Sequence, residues 1–236
     1  MSSFAYEVGQ EITFEPTEPN TSIKKARVLK KHSIGPNRRS QIILLAIKED
    51  RSHLKLVAKC YDPTRFPEHQ VHGPSKDAYC AELKCREARA YRKLVPLYSL
   101  VVPSFHGEYQ YVAGEVSQMS RMNAILLQFI DHPTLSDLSS RDIDRDCLKR
   151  ETFQSLRRCH ELGVYHRDIG PSNIFFTGQK AIICDWENAT FADDPSEEDP
   201  KNWRKSDEDS LISTLKPFDI KDSRPLPPPD FFGWNH

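Results

Sequence analysis

The sequence predicts an α+β protein in two segregated parts: an antiparallel sheet with one helix, then a mainly helical part. Three observations predict it. Apolar, strand-like segments at 26–32, 41–47 and 54–61 are joined by short polar connectors, which gives an antiparallel meander. One helical pattern, 76–94, interrupts the strands. Beyond about residue 131 the pattern is helical except for one small hairpin, and runs of strands followed by helices indicate segregated layers.

Residues 1–22 are polar, carry Pro16 and Pro19, and read as an arm with one short strand. The connectors 33–40 and 48–52 carry turn chemistry in Gly35, Pro36, Asn37 and Ser52. Pro63, Pro67, Gly73 and Pro74 mark 62–75 as a loop, and Pro96 and Pro103 close the region after the helix. Strands are expected at 110–112 and 124–130. A second helix is expected at 144–162, with Leu148, Phe153, Leu156, Cys159 and His160 near helical spacing and Gly163 as its stop. Two short strands, 173–176 and 181–185, form the hairpin. The charged stretch 193–209 reads as a solvated loop, 210–215 as a short helix and 225–230 as an extended tail. The expected organisation is therefore an arm at 1–22, a first lobe at 23–130, a second at 131–216 and a proline-rich tail at 217–236.

A chain of 236 residues suits one domain of two lobes or two small domains. Lys and Arg total 33 against 34 Asp and Glu, so there is no basic field to expect a nucleic-acid partner. The longest strongly apolar run, 42–47, is far short of the roughly 20 residues of a membrane helix, so no membrane partner is expected. Six cysteines without a C-x-x-C pair, and no basic-then-apolar leader, point to reduced thiols and a cytoplasmic or nuclear location. Oligomeric state is not legible in the sequence.

The chemistry concentrates in two stretches. His166-Arg167-Asp168-Ile169-Gly170-Pro171-Ser172-Asn173 leads from a helix end into a strand, and Ile182-Ile183-Cys184-Asp185-Trp186-Glu187 lies on the other arm of the hairpin. This places Asn173 and Asp185 at the mouth of the hairpin. Two oxygen donors, completed by water and phosphate, are the usual Mg²⁺ arrangement. Asp168, five residues before Asn173, can accept a proton from an incoming hydroxyl.

The first stretch matches H-R-D-[IL]-x-x-x-N and resembles the catalytic loop of protein kinases. Val57-Ala58-Lys59 resembles that family's lysine strand, one residue shorter. On the helix, Glu87, Ala90, Tyr91 and Leu94 share a face, and a carboxylate on an otherwise apolar face needs a partner. Lys59 is the natural one; a pair at about 4 Å is worth roughly 4 kcal/mol at an effective dielectric of 20, before desolvation. Segment 124–130, followed by Thr134 to Leu138, looks like the fifth strand, hinge and following helix of a kinase.

The resemblance covers roughly 24–215 and implies a protein kinase-like bilobal fold with a shortened helical C-lobe; in outline it resembles small divergent fungal members. It implies ATP and Mg²⁺. Lys59 and Glu87 would set the triphosphate, and Asn173 and Asp185 would hold the metal. Asp168 would orient and deprotonate the acceptor. Leu127 would be the gatekeeper, the backbone of Gln128, Phe129 and Ile130 would meet adenine, and Asp207 would brace the catalytic loop.

The sequence also departs from the family. Residues 34–40 hold one glycine and Pro36 where a glycine-rich phosphate loop would stand. Arg38 and Arg39 there are either substitutes for it or solvated turn residues. The metal triplet is Asp185-Trp186-Glu187 rather than Asp-Phe-Gly, a form resembling aminoglycoside phosphotransferases. Arg167 points back towards protein kinases, and no Ala-Pro-Glu motif follows.

Three functions stay open on these residues. The first is phosphoryl transfer to a protein Ser or Thr. The second is a small-molecule kinase of the aminoglycoside or choline type. The third is a pseudokinase scaffold or nucleotide-binding interaction module. Blander readings stand beside them. Glu82 is a rival to Glu87, with Arg86 four residues on. His166 reads as structural, and His69 and His72 as a chance pair. Pro225 to Pro229 reads as an inert tail rather than a ligand for an SH3 or WW module.

Overall fold

The computed structural model of the chain describes residues 7–18, 22, 24–33, 40–47, 54–66, 69, 71–113, 120–138, 143–194 and 199–219. The connector 34–39, with Arg38 and Arg39, and the proline-rich tail lie outside the described residues. The described residues fall into two compact units. One comprises those up to 99, with 103–130 and 186–188; the other comprises 100–102, 131–185 and those from 189 onward.

The first unit is a closed six-stranded antiparallel barrel with one helix. Its strands are β1 (Glu11–Pro16), β2 (Lys24–Ser33), β3 (Gln41–Ile47), β4 (Lys55–Tyr61), β5 (Phe105–Ala113) and β6 (Ser120–Gln128), and its helix is α1 (Lys76–Lys93). The order around the barrel is β1-β2-β3-β4-β6-β5, and β1 closes the ring against β5 with Phe14 opposite Tyr111. The short strand expected in the arm is thus a barrel stave. Closure leaves no open edge.

The two-residue period of a strand decides which side chains face the barrel core. Ile43, Leu45 and Ile47 of β3, and Leu56, Ala58 and Cys60 of β4, point in and are buried with Ile12, Phe14, Tyr109 and Tyr111. Phe14 meets the Tyr109 ring edge-on at 6.3 Å. At the start of β5 the register shifts between Phe105 and Gly107. Gly107 has φ +116, and a Cβ there would sit 3.2 Å from the Tyr109 ring, so this bulge requires glycine. On β4, Val57, Lys59 and Tyr61 alternate to the other face.

Helix α1 starts at Ser75, whose hydroxyl accepts the Ala78 N–H at 3.1 Å. Its covered face carries Tyr79, Cys80, Leu83, Lys84, Glu87, Ala88, Ala90 and Tyr91. The helix is tied to β5 by charge. Lys84 Nζ lies 2.5 Å from Glu108, and Arg92 also pairs with Glu108 and with Glu18.

The second unit holds α2 (Arg145–Glu161), β7 (Val164–Tyr165), β8 (Ile174–Phe176), β9 (Ala181–Ile183), β10 (Thr190–Phe191) and α3 (Pro200–Asp219). Asp144 caps α2 by accepting the Cys147 N–H at 3.0 Å. Gly163 ends it at φ +71, where a Cβ would press on Ala192 at 3.0 Å. β8 and β9 form the hairpin, and Ser155 of α2 donates its hydroxyl to the Ala181 carbonyl of β9 at 2.8 Å.

Two expectations need correction here. The helix expected at 210–215 runs over Pro200–Asp219, because Trp203, Asp207, Leu211, Leu215 and Phe218 make one buried stripe within the charged sequence. The helix expected from Thr134 is, over its described residues, a turn: the Thr134 N–H and hydroxyl both donate to the Asp137 carboxylate, at 3.1 and 2.6 Å. Among the described residues no helix is long and apolar enough to cross a membrane.

Candidate active site

The first unit carries a buried ionic cluster. Lys59 and Tyr61, two apart on β4, share the face opposite the barrel core. Glu87 sits on the covered face of α1 and is fully buried. Lys59 Nζ lies 2.6 Å from Glu87 Oε2, and the Tyr61 hydroxyl donates to the same oxygen. Burial, reinforced by the Glu87 charge, pushes the Tyr61 phenol well above its ordinary range, so it serves as a donor. Glu187 belongs to the same unit; its carboxylate lies 2.9 Å from Lys59 Nζ, and both side chains are buried. Glu82, the rival partner, is exposed and pairs with Arg86 one helical turn on.

Leu127 is buried near the end of β6, opposite Val57 of β4. Gln128 turns to the segment that precedes β5: its amide oxygen accepts from the Ser99 hydroxyl at 2.8 Å and from the Ser104 N–H at 3.1 Å. Its backbone N–H donates to the Ser104 carbonyl at 2.8 Å, so that donor is engaged inside the protein. Phe129 follows the strand, with Lys55 Nζ 5.8 Å from its ring centroid, and Ile130 is buried.

The second unit carries the loop from His166 to Asn173. Asp207 on α3 holds its entrance. Its carboxylate accepts the backbone N–H of His166 at 2.7 Å and of Arg167 at 2.8 Å, and lies 3.0 Å from His160 Nε2. Arg167 has φ +66, a left-handed conformation that a non-glycine residue adopts at a cost of about 1–3 kcal/mol; the charged acceptor offsets it. The buried His166 ring links the two chemical stretches. Its Nδ1 accepts the Asp168 N–H at 3.2 Å, so Nε2 carries the proton and donates to the Cys184 carbonyl at 2.8 Å.

Asn173 closes the loop by donating its amide N–H to the Asp168 carbonyl at 3.0 Å, and its own carbonyl accepts the Cys184 N–H at 2.9 Å. Asp168 thus has both backbone groups bonded while its residue is exposed. Asn173 and Asp185 stand at the same end of the hairpin, just beyond the Ile174–Ile183 pair. Asp185 also has a left-handed backbone, φ +67. The Asn173 nitrogen donates to Asp168 and its amide oxygen accepts the Ser172 hydroxyl at 3.3 Å; the second lone pair of that oxygen and the Asp185 carboxylate are the candidate ligand groups. Hard oxygen donors of this kind fit Mg²⁺.

The structure therefore brings Lys59 together with Glu87 in one unit, and Asp168, Asn173 and Asp185 into one loop–hairpin assembly in the other. Sequence reasoning missed Tyr61, Glu187 and His160. Tyr61 was findable as the residue two beyond Lys59, and His160 as a polar residue on an apolar helix face. Glu187 had no local signal beyond its place in the triplet. His72 packs edge-on against Tyr79, with centroids 5.7 Å apart.

No family model matches the chain. Among curated proteins it is similar to a probable casein kinase II subunit alpha homolog of Encephalitozoon cuniculi (strain GB-M1). The identity is 22% over 148 residues, covering 61% of this chain and 38% of that protein. It is also similar to cyclin-dependent kinase-like 4 of Mus musculus, 32% identical over 78 residues, covering 30% of this chain and 23% of the relative. The chain spans less than two-fifths of the length of either. These partial likenesses support a distant protein-kinase-like relationship.

Proposed function

We propose that the chain is an ATP- and Mg²⁺-dependent phosphotransferase of protein kinase-like bilobal fold that phosphorylates a hydroxyl, on a protein Ser or Thr. The observation that carries this reading is the buried Lys59–Glu87 pair at 2.6 Å, between residues 28 positions apart. A lysine so buried is costly unless paired, and its charge is useful where a polyphosphate must be held.

In this reading each residue has a stated task. Lys59, fixed by Glu87 and Tyr61, neutralises phosphate oxygens. Leu127 supplies an apolar wall for the base, and the backbone of Phe129 and Ile130 meets its polar edge. Asn173 and Asp185 offer oxygen donors to the metal. Mg²⁺, when bound, spreads the negative charge of the phosphates. Asp168 accepts the proton of the acceptor hydroxyl as its oxygen attacks, and the bonds from His166 and Asn173 hold that carboxylate's backbone in place. Catalysis of this kind rests on placement and charge more than on an unusual pKa.

The Asp185-Trp186-Glu187 triplet favours a second reading, a small-molecule kinase. Transfer of labelled phosphate from ATP to a panel of proteins, peptides, aminoglycosides and choline separates the two. Asp168→Asn is expected to retain ATP binding and lose transfer to every acceptor. Transfer at the wild-type rate in that variant would remove Asp168 as the base.

A further inference from the structure

Resting on that reading, we infer that Glu187 is a second anchor of the Lys59 ammonium and makes polyphosphate capture there dependent on a divalent cation. Glu187 stands where the resembled family has a small glycine, yet it is buried, with its carboxylate 2.9 Å from Nζ. Glu87 lies 2.6 Å from the same nitrogen. The ammonium donates a hydrogen bond to Glu87 and attracts Glu187 as an ion pair. The formal charge of these three groups is then one positive against two negative.

A polyphosphate reaching Lys59 brings more negative charge to a group already in deficit, and like charges in a buried setting oppose one another. Metal-free nucleotide is therefore disfavoured more than a nucleotide whose charge is partly neutralised by its own divalent cation. Glu87 is also held by the Tyr61 hydroxyl. Glu187 acts through Lys59 and is a positioning residue.

Two measurements on the full chain test this. The first is a double-mutant cycle in urea with Glu187→Gln, Lys59→Met and both together. The unfolding constants are expected to deviate from additivity by about tenfold, and additive constants would remove the anchor. The second is calorimetric titration with ATP, in EDTA and in excess Mg²⁺. Glu187→Gln is expected to bind metal-free ATP about tenfold more tightly than wild type does, with less than about threefold change for Mg²⁺-ATP. Glu187→Asp, which keeps the charge, is expected to keep the wild-type cation dependence. An unchanged ratio in Glu187→Gln, or the same loss of dependence in Glu187→Asp, would overturn the charge argument. If no form binds ATP under either condition, the phosphotransferase reading falls and the coupling with it, while non-additivity would still establish the ion pair.

Discussion

Lys59 owes its place to a parity. Leu56, Ala58 and Cys60 turn into the barrel, so Lys59 and Tyr61 must turn out, onto α1. Glu87 is met there by both. Glu87→Ala leaves Lys59 with Glu187 alone and the buried Tyr61 hydroxyl without its acceptor, and is expected to destabilise the protein by about 1–3 kcal/mol in urea unfolding. Tyr61→Phe, which removes only a donor to a carboxylate, should cost about 1.5–3 kcal/mol. A loss under about 0.5 kcal/mol in either variant would mean that the cluster does not hold as described. The cysteines bear on reactivity rather than fold. None of the six, all among the described residues, is in a disulfide, and burial pushes the Cys80 thiol up to about 12. Exposed Cys85 is therefore expected to react with thiol reagents before Cys80 does.

The loop from His166 to Asn173 is held at its entrance from α3. Asp207 gives one carboxylate to two consecutive N–H groups, the second on a left-handed residue. Asp207→Ala leaves both donors buried or half-covered without that acceptor, and is expected to cost about 2–4 kcal/mol. Hydrogen exchange at His166 and Arg167 should accelerate along with it, and unchanged exchange there would contradict the brace. At the barrel, Phe14→Ala is expected to cost about 3–5 kcal/mol, because β1 closes the ring and its ring is fully buried. A near-neutral effect would mean that β1 is not a stave.

How far the sequence was legible follows from the same elements. The period-two strands 41–47 and 54–61 and the capped helices at 76–94 and 144–162 carry local signals, and they lie within one or two residues of the observed elements. α3 was hidden because its apolar stripe is sparse and Lys201, Arg204, Lys205 and Asp209 crowd the exposed face. β1 was legible as a strand but not as part of the barrel, because its partner β5 lies some ninety residues away. Motif spacing named Lys59, Glu87, Asp168, Asn173, Asp185 and Asp207. The donors around them are products of tertiary packing and leave no sequence pattern.

At the scale of the whole molecule, acid should act first through carboxylates paired in the fold. Burial alone would raise the Glu108 pKa, but the bonds from Lys84 and Arg92 outweigh it and hold the group below its ordinary value of 4.5. The unfolded chain then binds more protons at Glu108 than the folded one as pH falls. Its stabilising contribution is present above 4.5 and is lost as pH drops through 4.5 towards the lowered folded value. Glu108→Gln is expected to lower stability at neutral pH and to flatten the acid limb of the stability curve. An acid limb as steep as in wild type would assign that loss to other groups.

The proposed chemistry begins with the binding of Mg²⁺-ATP, and thermal unfolding with that nucleotide tests it most directly. At a hundredfold excess over Kd, bound nucleotide adds about 2.7 kcal/mol, which for a chain of this size raises Tm by about 5–10 °C. The account predicts that rise in wild type, its loss in Lys59→Met and a marked reduction in Asp185→Asn. No rise in wild type, or an equal rise in Lys59→Met, would contradict it.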